Sequence, residues 1–252
     1  MRPDLTFVMP AYNEEANIAQ SVNAARAAMS RLVVQGRIGS WEIVVVDDGS
    51  DDRTADEVRA MDTLPVRLVT HHRNRGYGAA LRSGFDAAEG RLVFFTDADL
   101  QFNADEIDRL LPWVARYDIV AGYRSPRQDP WVRRANAAAW GIALYGAFGL
   151  DVTDVNCAFK LFRREVLDGL EIDSEGAFVN AEILLKASQR GATIKQVPVS
   201  HFARTVGNQT GAHPKVVLRA FVELAKFYRL SKETDGPWTS SQRAASLANT
   251  MR

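Results

Sequence analysis

Short apolar runs alternate with longer segments of helical periodicity along this chain, and this alternation limits the possible folds more than any other feature. The runs that begin at Ile43 and Leu92 read Ile-Val-Val-Val and Leu-Val-Phe-Phe, which is typical of strands covered on both faces. Strands separated by helix-length segments favour parallel pairing through crossover helices. The sequence therefore predicts an open, mostly parallel α/β sheet with helices on both faces. The predicted strands are Leu5 to Met9, Glu42 to Val46, Val66 to Thr70, Leu92 to Thr96, Ile119 to Ala121, Phe159 to Phe162 and Thr193 to Val199, and the predicted helices are Glu14 to Leu32, Thr54 to Met61, Tyr77 to Ala88, Ala104 to Ala115, Asn180 to Gln189 and Pro214 to Leu230.

The charge balance and the cysteine content narrow the classes of function. The 252 residues carry 31 basic and 31 acidic side chains, so no overall positive field attracts nucleic acid. Cys157 is the one cysteine, which excludes an internal disulfide and a cysteine zinc cage. No apolar run reaches the roughly 18 residues of a membrane-spanning helix, and the N-terminus does not resemble a secretory signal. We expect a cytoplasmic protein without a nucleic-acid partner, with a single domain over residues 1–230 and a polar, mobile tail over residues 231–252.

An Asp-x-Asp pattern stands directly after the fourth predicted strand. Asp97 and Asp99 lie at positions i and i+2, so an extended backbone would point both carboxylates to the same side. Two adjacent carboxylates repel each other unless a cation joins them, and oxygen ligands with open positions suit Mg²⁺ or Mn²⁺ shared with the phosphates of a substrate. Gln101 could add a neutral oxygen ligand, whereas the lack of a nearby His or Cys cluster argues against zinc. The alternative is a solvated strand end with a helix-capping aspartate.

Polar residues also follow the first two predicted strands, and ligands of open α/β sheets bind at the carboxyl ends of strands. In the turn Asp47-Asp48-Gly49-Ser50, one carboxylate could accept the N–H of a nucleobase or the hydroxyls of a ribose, and Tyr12 could stack on the base. Both features have a structural alternative, because Asp and Gly favour turns and a loop tyrosine is commonly a packing residue. Arg75-Gly76-Tyr77-Gly78 lacks the third glycine of a dinucleotide fingerprint, since Leu81 stands there. A glycine-rich helix start near a diphosphate is the remaining functional interpretation.

Four motifs occur in a fixed order along the first part of the chain. They are Pro-Ala-Tyr-Asn-Glu-Glu from Pro10, Val-Val-Asp-Asp-Gly-Ser from Val45, Asn-Arg-Gly-Tyr-Gly-Ala-Ala-Leu-Arg-Ser-Gly from Asn74 and Asp-Ala-Asp-Leu-Gln from Asp97. In this order and spacing they resemble the inverting family 2 glycosyltransferases. Within that family the resemblance is to the polyprenyl-phosphate glycosyltransferases, the group that includes the dolichyl-phosphate mannose synthases, and it extends from about Leu5 to Gly211. The resemblance implies a single domain with the Rossmann-like GT-A fold.

The resemblance also implies roles for individual residues. The residues expected to hold the donor are Pro10, Tyr12, Glu14 and Asp47 or Asp48 for the nucleoside, and Asp97, Asp99 and Gln101 for the metal and the diphosphate. The residues expected on the acceptor side are Arg124, Arg133 or Arg134, and Arg204 for the lipid phosphate, with Asp154 near the reacting oxygen. Asp99 and Asp154 are the expected catalytic residues. Cys157 is expected to be a packing residue, and Glu182 to face the site.

A basic stretch leads into an apolar, aromatic segment in the middle of the chain. Four arginines stand against one aspartate between residues 124 and 134, an excess of positive charge that suits an anionic acceptor, with a solvated loop as the alternative. Four apolar residues follow at helical spacing and predict one stripe of a helix. We expect residues 131–150 to form a membrane-interface helix that binds weakly and reversibly, and a helix of the domain core is the alternative. The stripe consists of Ala137, Trp140, Leu144 and Phe148.

The residues and the resemblance together predict an inverting, metal-dependent hexosyltransferase. It would move a sugar from GDP-mannose or a UDP-hexose to a polyprenyl phosphate, with Mg²⁺ or Mn²⁺ as cofactor. We expect it to bind peripherally to the inner, cytoplasmic face of the membrane, and the resemblance allows a separate membrane protein as a partner. One alternative is a soluble enzyme of the same fold that glycosylates a glycan or another hydroxyl acceptor. The other is a nucleotide-sugar-binding protein without turnover, against which the intact Asp97 and Asp99 argue.

Overall fold

The computed structural model describes residues 2–61, 65–126, 131–204 and 214–234, without the side chains of residues 131–133, 214–218 and 230–234. Strands and helices alternate through this part of the chain. The strands are β1 Leu5–Ala11, β2 Trp41–Asp47, β3 Val66–Thr70, β4 Leu92–Thr96, β5 Ile119–Arg124, β6 Phe159–Arg163 and β7 Ile194–Val199. The helices are α1 Ile18–Val34, α2 Thr54–Arg59, α3 Tyr77–Ala87, α4 Ile107–Leu110, α5 Trp131–Phe148, α6 Arg164–Leu167, α7 Val179–Gln189 and α8 Pro214–Thr234.

The strands form a seven-stranded sheet within the described residues, in the order β3-β2-β1-β4-β6-β5-β7. Strands β1 to β4 pair in parallel, as do β5 and β7. Strand β6 runs antiparallel to both of its neighbours, β4 and β5. The predicted open, mostly parallel sheet is confirmed. Because only β6 is reversed, the carboxyl ends of the other six strands lie along the same edge as the beginning of β6.

The central strands are buried on both faces, as their uninterrupted apolar sequences predict. Successive residues of β1 divide between two layers of the core: Phe7 packs on the side of α1, and Val8 packs on the side of α3, α5 and α7. Phe7 lies 4.9 Å from the ring of Phe94 in β4, in an edge-to-face arrangement. Burial of each large apolar side chain contributes about 1.5–3 kcal/mol, so these two layers hold the strand ends in place.

Several predicted helices have different limits in the structure; α1, for example, begins at Ile18 rather than at Glu14. The segment from Ala104 to Ala115 consists of a 3₁₀ turn, the four-residue α4 and a second 3₁₀ turn that includes Pro112. Proline lacks the N–H that would continue an α-helix, which accounts for the interruption. Helix α8 runs to Thr234, so residues 231–234 of the predicted tail are helical. Residues 235–252 of that tail lie outside the described residues.

The apolar stripe of α5 packs into the protein. Trp140, Leu144 and Phe148 are 7%, 0% and 1% exposed. The ring of Trp140 lies edge-to-face against Phe178, and the ring of Phe148 against Phe227 of α8. The prediction that this stripe faces a membrane is therefore wrong, because an aromatic surface of the protein itself covers it. The alternative of a core helix holds for this face of α5.

The other face of α5 is open to solvent. Ile142 and Tyr145 are 73% and 48% exposed, and Ala137 of the predicted stripe is half-buried. None of the helices in the described ranges is long and apolar enough to span a membrane. Any membrane contact of α5 would thus involve its Ile142 face, whereas the Trp140 face is already covered.

Candidate active site

The predicted polar clusters meet at the edge of the sheet where the parallel strands end. Ala11, the last residue of β1, pairs with Asp47, the last residue of β2, and the Ala11 carbonyl accepts the N–H of Asp48 at 2.9 Å. Asp97 follows directly after Thr96, the last residue of the neighbouring β4. In-register parallel strands place the residues that follow them side by side, so sequence positions far apart form one polar surface.

Asp97 and Asp99 occupy a position in which negative charge is unfavourable. Burial, together with the neighbouring Asp99 carboxylate, raises the pKa of Asp97 to about 7, and burial also raises the pKa of Asp99. Leu100 has a φ of 60°, a left-handed conformation that is uncommon for leucine. This turn allows the Asp99 carboxylate to accept the N–H of Gln101 at 3.1 Å. A strained backbone and two unfavourable charges at one place are typical of a binding site.

Arg204 brings a positive charge to this pair. Its guanidinium lies 3.6 Å from the Asp99 carboxylate and donates a hydrogen bond to Glu14. Glu14 is buried, and it also accepts a hydrogen bond from the Asn17 amide at 2.7 Å. The structure thus places Glu14 beside the aspartate pair and Arg204, although the sequence predicts it to hold the nucleoside. Arg204 is predicted on the acceptor side, and its position here joins it to the donor side as well.

A short antiparallel backbone contact places Arg204 at this position. Phe102 and His201 form an isolated β-bridge, and the Phe202 N–H donates to the Gln101 carbonyl at 2.8 Å. The Gln101 side-chain amide donates to the Phe202 carbonyl at 3.0 Å. In this structure Gln101 therefore ties the segment after β7 to the Asp-x-Asp turn, and its role as a metal ligand stays a prediction.

The chemistry of the aspartate pair fits a hard divalent cation. Within the described residues, no group of three or more His, Cys, Asp and Glu side chains is arranged to hold a metal ion. Two carboxylates with open positions are nevertheless the usual way in which Mg²⁺ is shared between a protein and substrate phosphates. The approach of the Arg204 guanidinium to Asp99 shows that positive charge is accommodated at this point.

A cleft of about 390 Å³ lies beside the ends of β2 and β3. Tyr12, which is 41% exposed, and Asp47, which is 2% exposed, both line it. The Asp47 carboxylate accepts the Ser50 N–H at 3.2 Å. An aromatic ring beside a carboxylate is suited to a nucleobase, which offers a flat face and N–H donors. Pro10, also predicted for this role, lies buried within β1.

The Asp48 side chain makes different contacts from that of Asp47. Its carboxylate lies 2.6 Å from Nδ1 of His71 and accepts the backbone N–H groups of Arg75 and Gly76 at 3.0 and 2.8 Å. Nε2 of His71 lies 2.9 Å from the Ser83 hydroxyl. Asp48 thus anchors the loop that leads into α3, and of these two carboxylates it is Asp47 that lines the cleft. Sequence reasoning misses His71, because a single histidine after a strand forms no distinctive pattern.

Gly76 and Gly78 allow another segment of the chain to approach the start of α3. A Cβ at Gly78 would lie 1.9 Å from the Ser174 carbonyl oxygen, and one at Gly76, whose φ is 96°, would lie 2.4 Å from that of Glu175. The Glu182 carboxylate on α7 holds this segment by accepting the N–H groups of Ser174 and of the residue before it, each at 2.9 Å. These glycines are therefore explained by packing. Glu182, predicted to face the site, is 1% exposed and anchors a loop.

Arg124, the last residue of β5, forms a bidentate ion pair with Asp154. Its Nε and Nη2 donate to the two carboxylate oxygens at 2.7 and 2.9 Å. The Asp154 side chain is 3% exposed and that of Arg124 is 16% exposed. The structure thus brings together two residues that the sequence predicts on the acceptor side. Arg134 lies exposed on α5, and the side chain of Arg133 lies outside the described part of the protein.

Lys160 is a buried cation that sequence reasoning does not identify. It stands between two apolar residues in Phe-Lys-Leu-Phe-Arg, where a lysine would be expected to face solvent, yet it is 1% exposed. Burial lowers its pKa to about 8. Burial raises the pKa of the neighbouring Cys157 thiol to about 12, and this thiol is fully buried. Cys157 is therefore confirmed as a packing residue, since thiol reactivity needs an accessible thiolate.

The sequence model of the family described as Glycosyl transferase family 2 matches residues 6–170. This chain belongs to that family. Similar curated proteins include undecaprenyl-phosphate 4-deoxy-4-formamido-L-arabinose transferases. The protein of Pseudomonas aeruginosa (strain LESB58) is 36% identical over 170 residues, which cover 66% of this chain and 49% of the relative. That of Serratia proteamaculans (strain 568) is 30% identical over 218 residues, which cover 84% of this chain and 64% of the relative. The chain thus spans about half to just under two thirds of the length of these relatives.

Solved structures with a similar fold include those of glucosyl-3-phosphoglycerate synthase from Mycobacterium tuberculosis. The complex with Mn²⁺, UDP-glucose and phosphoglyceric acid has a TM-score of 0.71 and 23% identity, over 90% of this chain and 80% of that one. The complex with Mg²⁺ and UDP has a TM-score of 0.69 and 22% identity, over 89% and 79% of the two chains. The fold is GT-A, as the motif resemblance predicts.

Proposed function

We propose that this chain transfers a sugar, with inversion, from a nucleoside diphosphate sugar to a polyprenyl phosphate. The observation that carries the proposal is one sheet edge that holds the Asp97–Asp99 pair with Arg204 and, beside it, the Arg124–Asp154 pair. A diphosphate leaving group and a phosphate acceptor both need positive charge next to the reacting carbon. Membership of family 2 and relatives named for undecaprenyl phosphate support the same reaction.

The donor would lie across the ends of β1, β2 and β4. Tyr12 and Asp47 would hold the base and the ribose in the cleft, and Asp97 and Asp99 would hold Mg²⁺ or Mn²⁺. When bound, the cation supplies positive charge for the diphosphate that leaves. The presence of Mn²⁺ or Mg²⁺ with UDP in the similar glucosyl-3-phosphoglycerate synthase structures supports this assignment.

The acceptor phosphate would need positioning more than activation. A phosphate monoester is largely ionised at neutral pH, so its oxygen can attack the anomeric carbon without a strong base. The new bond joins that oxygen to the anomeric carbon, the bond from this carbon to the diphosphate breaks, and the nucleoside diphosphate leaves. Arg124 and Arg204 would hold the acceptor phosphate through charge-assisted hydrogen bonds. Asp154 would orient the Arg124 guanidinium through their bidentate contact.

The membrane contact of the enzyme would use the outer faces of α5 and α8. Ile142 and Tyr145 on α5 are exposed, as is Val222 on α8, whereas the partly exposed Phe221 and Tyr228 pack against the stripe of α5. The two helices adjoin, since the rings of Trp140 and Phe221 lie 5.0 Å apart. Apolar residues of this kind support weak, reversible binding in the plane of the interface. A separate membrane partner stays a prediction of the resemblance.

A lipid-extraction assay tests the proposal. The full chain is incubated with Mn²⁺, undecaprenyl phosphate in detergent and a radiolabelled donor, either GDP-mannose or one of several UDP-sugars. We expect label in the organic phase with the wild type and with Asp105→Asn, a control at the Arg31 ion pair, and none with Asp99→Asn. Label only in a water-soluble glycan would identify the soluble alternative. Donor binding without transfer to any acceptor would identify a binding protein.

A further inference from the structure

Lys160 is a buried ammonium group whose hydrogen bonds are all made inside the protein. Its Nζ donates to the backbone carbonyls of Val155, at 2.9 Å, and Cys157, and to Oδ1 of Asn180 on α7 at 3.1 Å. An ammonium group has three N–H donors and no acceptor, so these three contacts match its donors one for one. Burial of a charge is costly unless its hydrogen bonds are satisfied, and the three acceptors therefore fix the place of the ammonium group.

The backbone of Lys160 has a fixed position between the two sides of the site. Strand β6 lies between β4 and β5, and Lys160 pairs with Phe95 of β4 and with Ala121 of β5. Asp97 follows Phe95 by two residues, and Arg124 follows Ala121 by three. The hydrogen bonds of the sheet thus fix the base of the Lys160 side chain relative to both strand ends, and its ammonium group reaches from there to the loop before β6.

The ammonium group of Lys160 holds the turn that carries Asp154. The two carbonyls that accept from it belong to Val155 and Cys157, one and three residues after Asp154. The Cys157 N–H donates to the Asp154 carbonyl at 3.1 Å and closes the turn. The turn thus has one hydrogen bond of its own and two to Lys160, which fix the backbone of Asp154 relative to β6.

The Asp154 carboxylate transmits this position to Arg124. It accepts the Nε and Nη2 groups of Arg124 at 2.7 and 2.9 Å, and the Arg124 backbone N–H at 3.3 Å. A bidentate contact holds the guanidinium along one edge, and because this group is planar the direction of its other N–H groups is set as well. A shift of the turn would therefore turn the whole guanidinium.

We propose that Lys160 is a positioning residue for the acceptor phosphate: it holds the turn at Asp154, and the Asp154 carboxylate sets the direction of the Arg124 guanidinium. The inference rests on the proposed function, which gives Arg124 to the acceptor phosphate. Loss of the ammonium group would release the turn and let the guanidinium move away from the acceptor. Asp47 and Asp97 stand at the ends of β2 and β4 instead, so the nucleotide would bind as before.

The test compares acceptor use with donor binding in the full chain. Transfer to undecaprenyl phosphate in detergent is measured with the radiolabelled donor that the wild type uses, and the affinity for UDP and for GDP with MnCl₂ is measured by calorimetry. Lys160→Met removes the ammonium group and keeps most of the side-chain volume. The KM for undecaprenyl phosphate should rise about tenfold, as expected for the loss of a hydrogen bond to a charged group, while the nucleotide affinity stays unchanged.

A double-variant cycle separates positioning from a general loss of stability. Because Lys160 acts through Arg124 in this proposal, adding Lys160→Met to Arg124→Gln should raise the KM for undecaprenyl phosphate no further. A rise by the same factor in both backgrounds would give Lys160 a role in stability alone and would overturn the proposal. An unchanged KM in Lys160→Met, or an equal loss of nucleotide affinity, would overturn it too.

Matched variants complete the experiment. Lys195→Met makes the same chemical change on β7, where the Lys195 Nζ lies 4.4 Å from the centre of the Trp113 ring, and should behave like the wild type. Melting temperatures show whether Lys160→Met folds, and Lys160→Gln, which keeps an N–H donor at this position, retains the test where it does not. Absence of transfer by the wild type would overturn the proposed function and this proposal with it. Transfer by the wild type with an unchanged KM in both Lys160 variants would overturn this proposal alone, so the two failures are distinguishable.

Discussion

The proposed donor side and the proposed acceptor side of the site are built in different ways. Tyr12, Asp47 and Asp97 lie at or directly after the ends of three neighbouring parallel strands, and the hydrogen bonds of the sheet set their positions. Arg124, by contrast, is held by Asp154, which comes from the loop before the antiparallel strand β6, and Arg204 comes from the segment after β7. Backbone pairing positions the first group, whereas side-chain ion pairs position the second.

This difference predicts how each side responds to substitution. A strand-end carboxylate can be replaced without moving its neighbours, because the sheet still holds the backbone. Removing one partner of a buried ion pair leaves the other charge uncompensated and disturbs the structure as well as the chemistry. Substitutions on the donor side should therefore reduce activity without changing stability, whereas substitutions on the acceptor side should reduce both.

Asp99→Asn should give the largest effect and tests this separation on the donor side. Turnover should fall by on the order of 10³, since the anionic ligand is lost while charge still develops on the diphosphate. Because burial raises the pKa of Asp99, its negative charge opposes folding, so the melting temperature of the variant should be equal to or slightly above that of the wild type. Radiolabel transfer and thermal unfolding are measured on the same preparation. A variant that unfolds readily would show that the separation is incorrect.

Substitutions on the two faces of α5 test the acceptor side. Trp140→Ala and Phe148→Ala should each lower the free energy of unfolding by about 3 kcal/mol or more, because both side chains are buried among aromatic rings. Ile142→Ser with Tyr145→Ser should leave stability nearly unchanged and reduce sedimentation with anionic liposomes. Chemical denaturation and liposome sedimentation, measured for both pairs of variants, show which face of α5 contributes to stability and which binds the membrane. Equal liposome binding by the Ile142 and Tyr145 variant and the wild type would remove this face from the membrane proposal.

Lys160 lies between the two sides, and its titration should appear in the stability of the protein. In the unfolded chain Lys160 is protonated up to its ordinary pKa of 10.5, whereas burial lowers the folded value to about 8. Between these values the unfolded state binds more protons, so stability rises with pH and falls as pH decreases toward 8. Relative to Lys160→Met, the wild type should gain up to about 1.4 kcal/mol per pH unit in this window. Denaturation at pH 7 to 10.5, with Lys195→Met as control, measures the difference, and equal slopes would contradict it.

Substitution of Arg204 should give the smallest effect. Its result shows whether Arg204 belongs to the donor side or to the acceptor side. Its guanidinium lies 3.6 Å from Asp99, where it competes with a bound cation, so Arg204→Gln should tighten binding of Mn²⁺ alone by a few fold. Arg91→Gln, a control at the exposed ion pair with Asp4, should leave Mn²⁺ affinity unchanged. Paramagnetic resonance of free Mn²⁺ measures both variants without substrate. Equal affinities in both would place Arg204 on the acceptor side alone.

The sequence predicts the donor side well for a physical reason. Apolar runs locate strands, and polar residues directly after parallel strands must share an edge, so Asp47, Asp97 and Asp99 can be placed together before any coordinates are known. Which of two adjacent carboxylates lines the cleft is harder to predict from the sequence. Adjacent Asp47 and Asp48 have the same sequence environment, and only the loop that Asp48 anchors distinguishes them.

The acceptor side is less predictable because distant segments determine it. The stripe of α5 is compatible with a membrane or with a core until the rings of Phe178 and Phe227 are seen to cover it. The sequence suggests a surface position for Lys160, because its burial depends on the place of β6 between β4 and β5, which its own sequence does not show. Local patterns therefore identify elements, and tertiary neighbours decide what each face of an element does.

The reversal of β6 brings both ends of the proposed acceptor segment to one place in the sheet. Arg124 at the end of β5 and Phe159 at the start of β6 lie at the same edge of the sheet, on adjacent antiparallel strands. The chain between them, which contains α5 and Asp154, therefore leaves the sheet and returns to it at one place. This segment can therefore be replaced without changing the register of a strand, provided that the buried stripe of the new helix still packs against Phe178 and Phe227. We expect a chimera that carries residues 125–158 of another family member to use the acceptor of that member and the donor nucleotide of this protein.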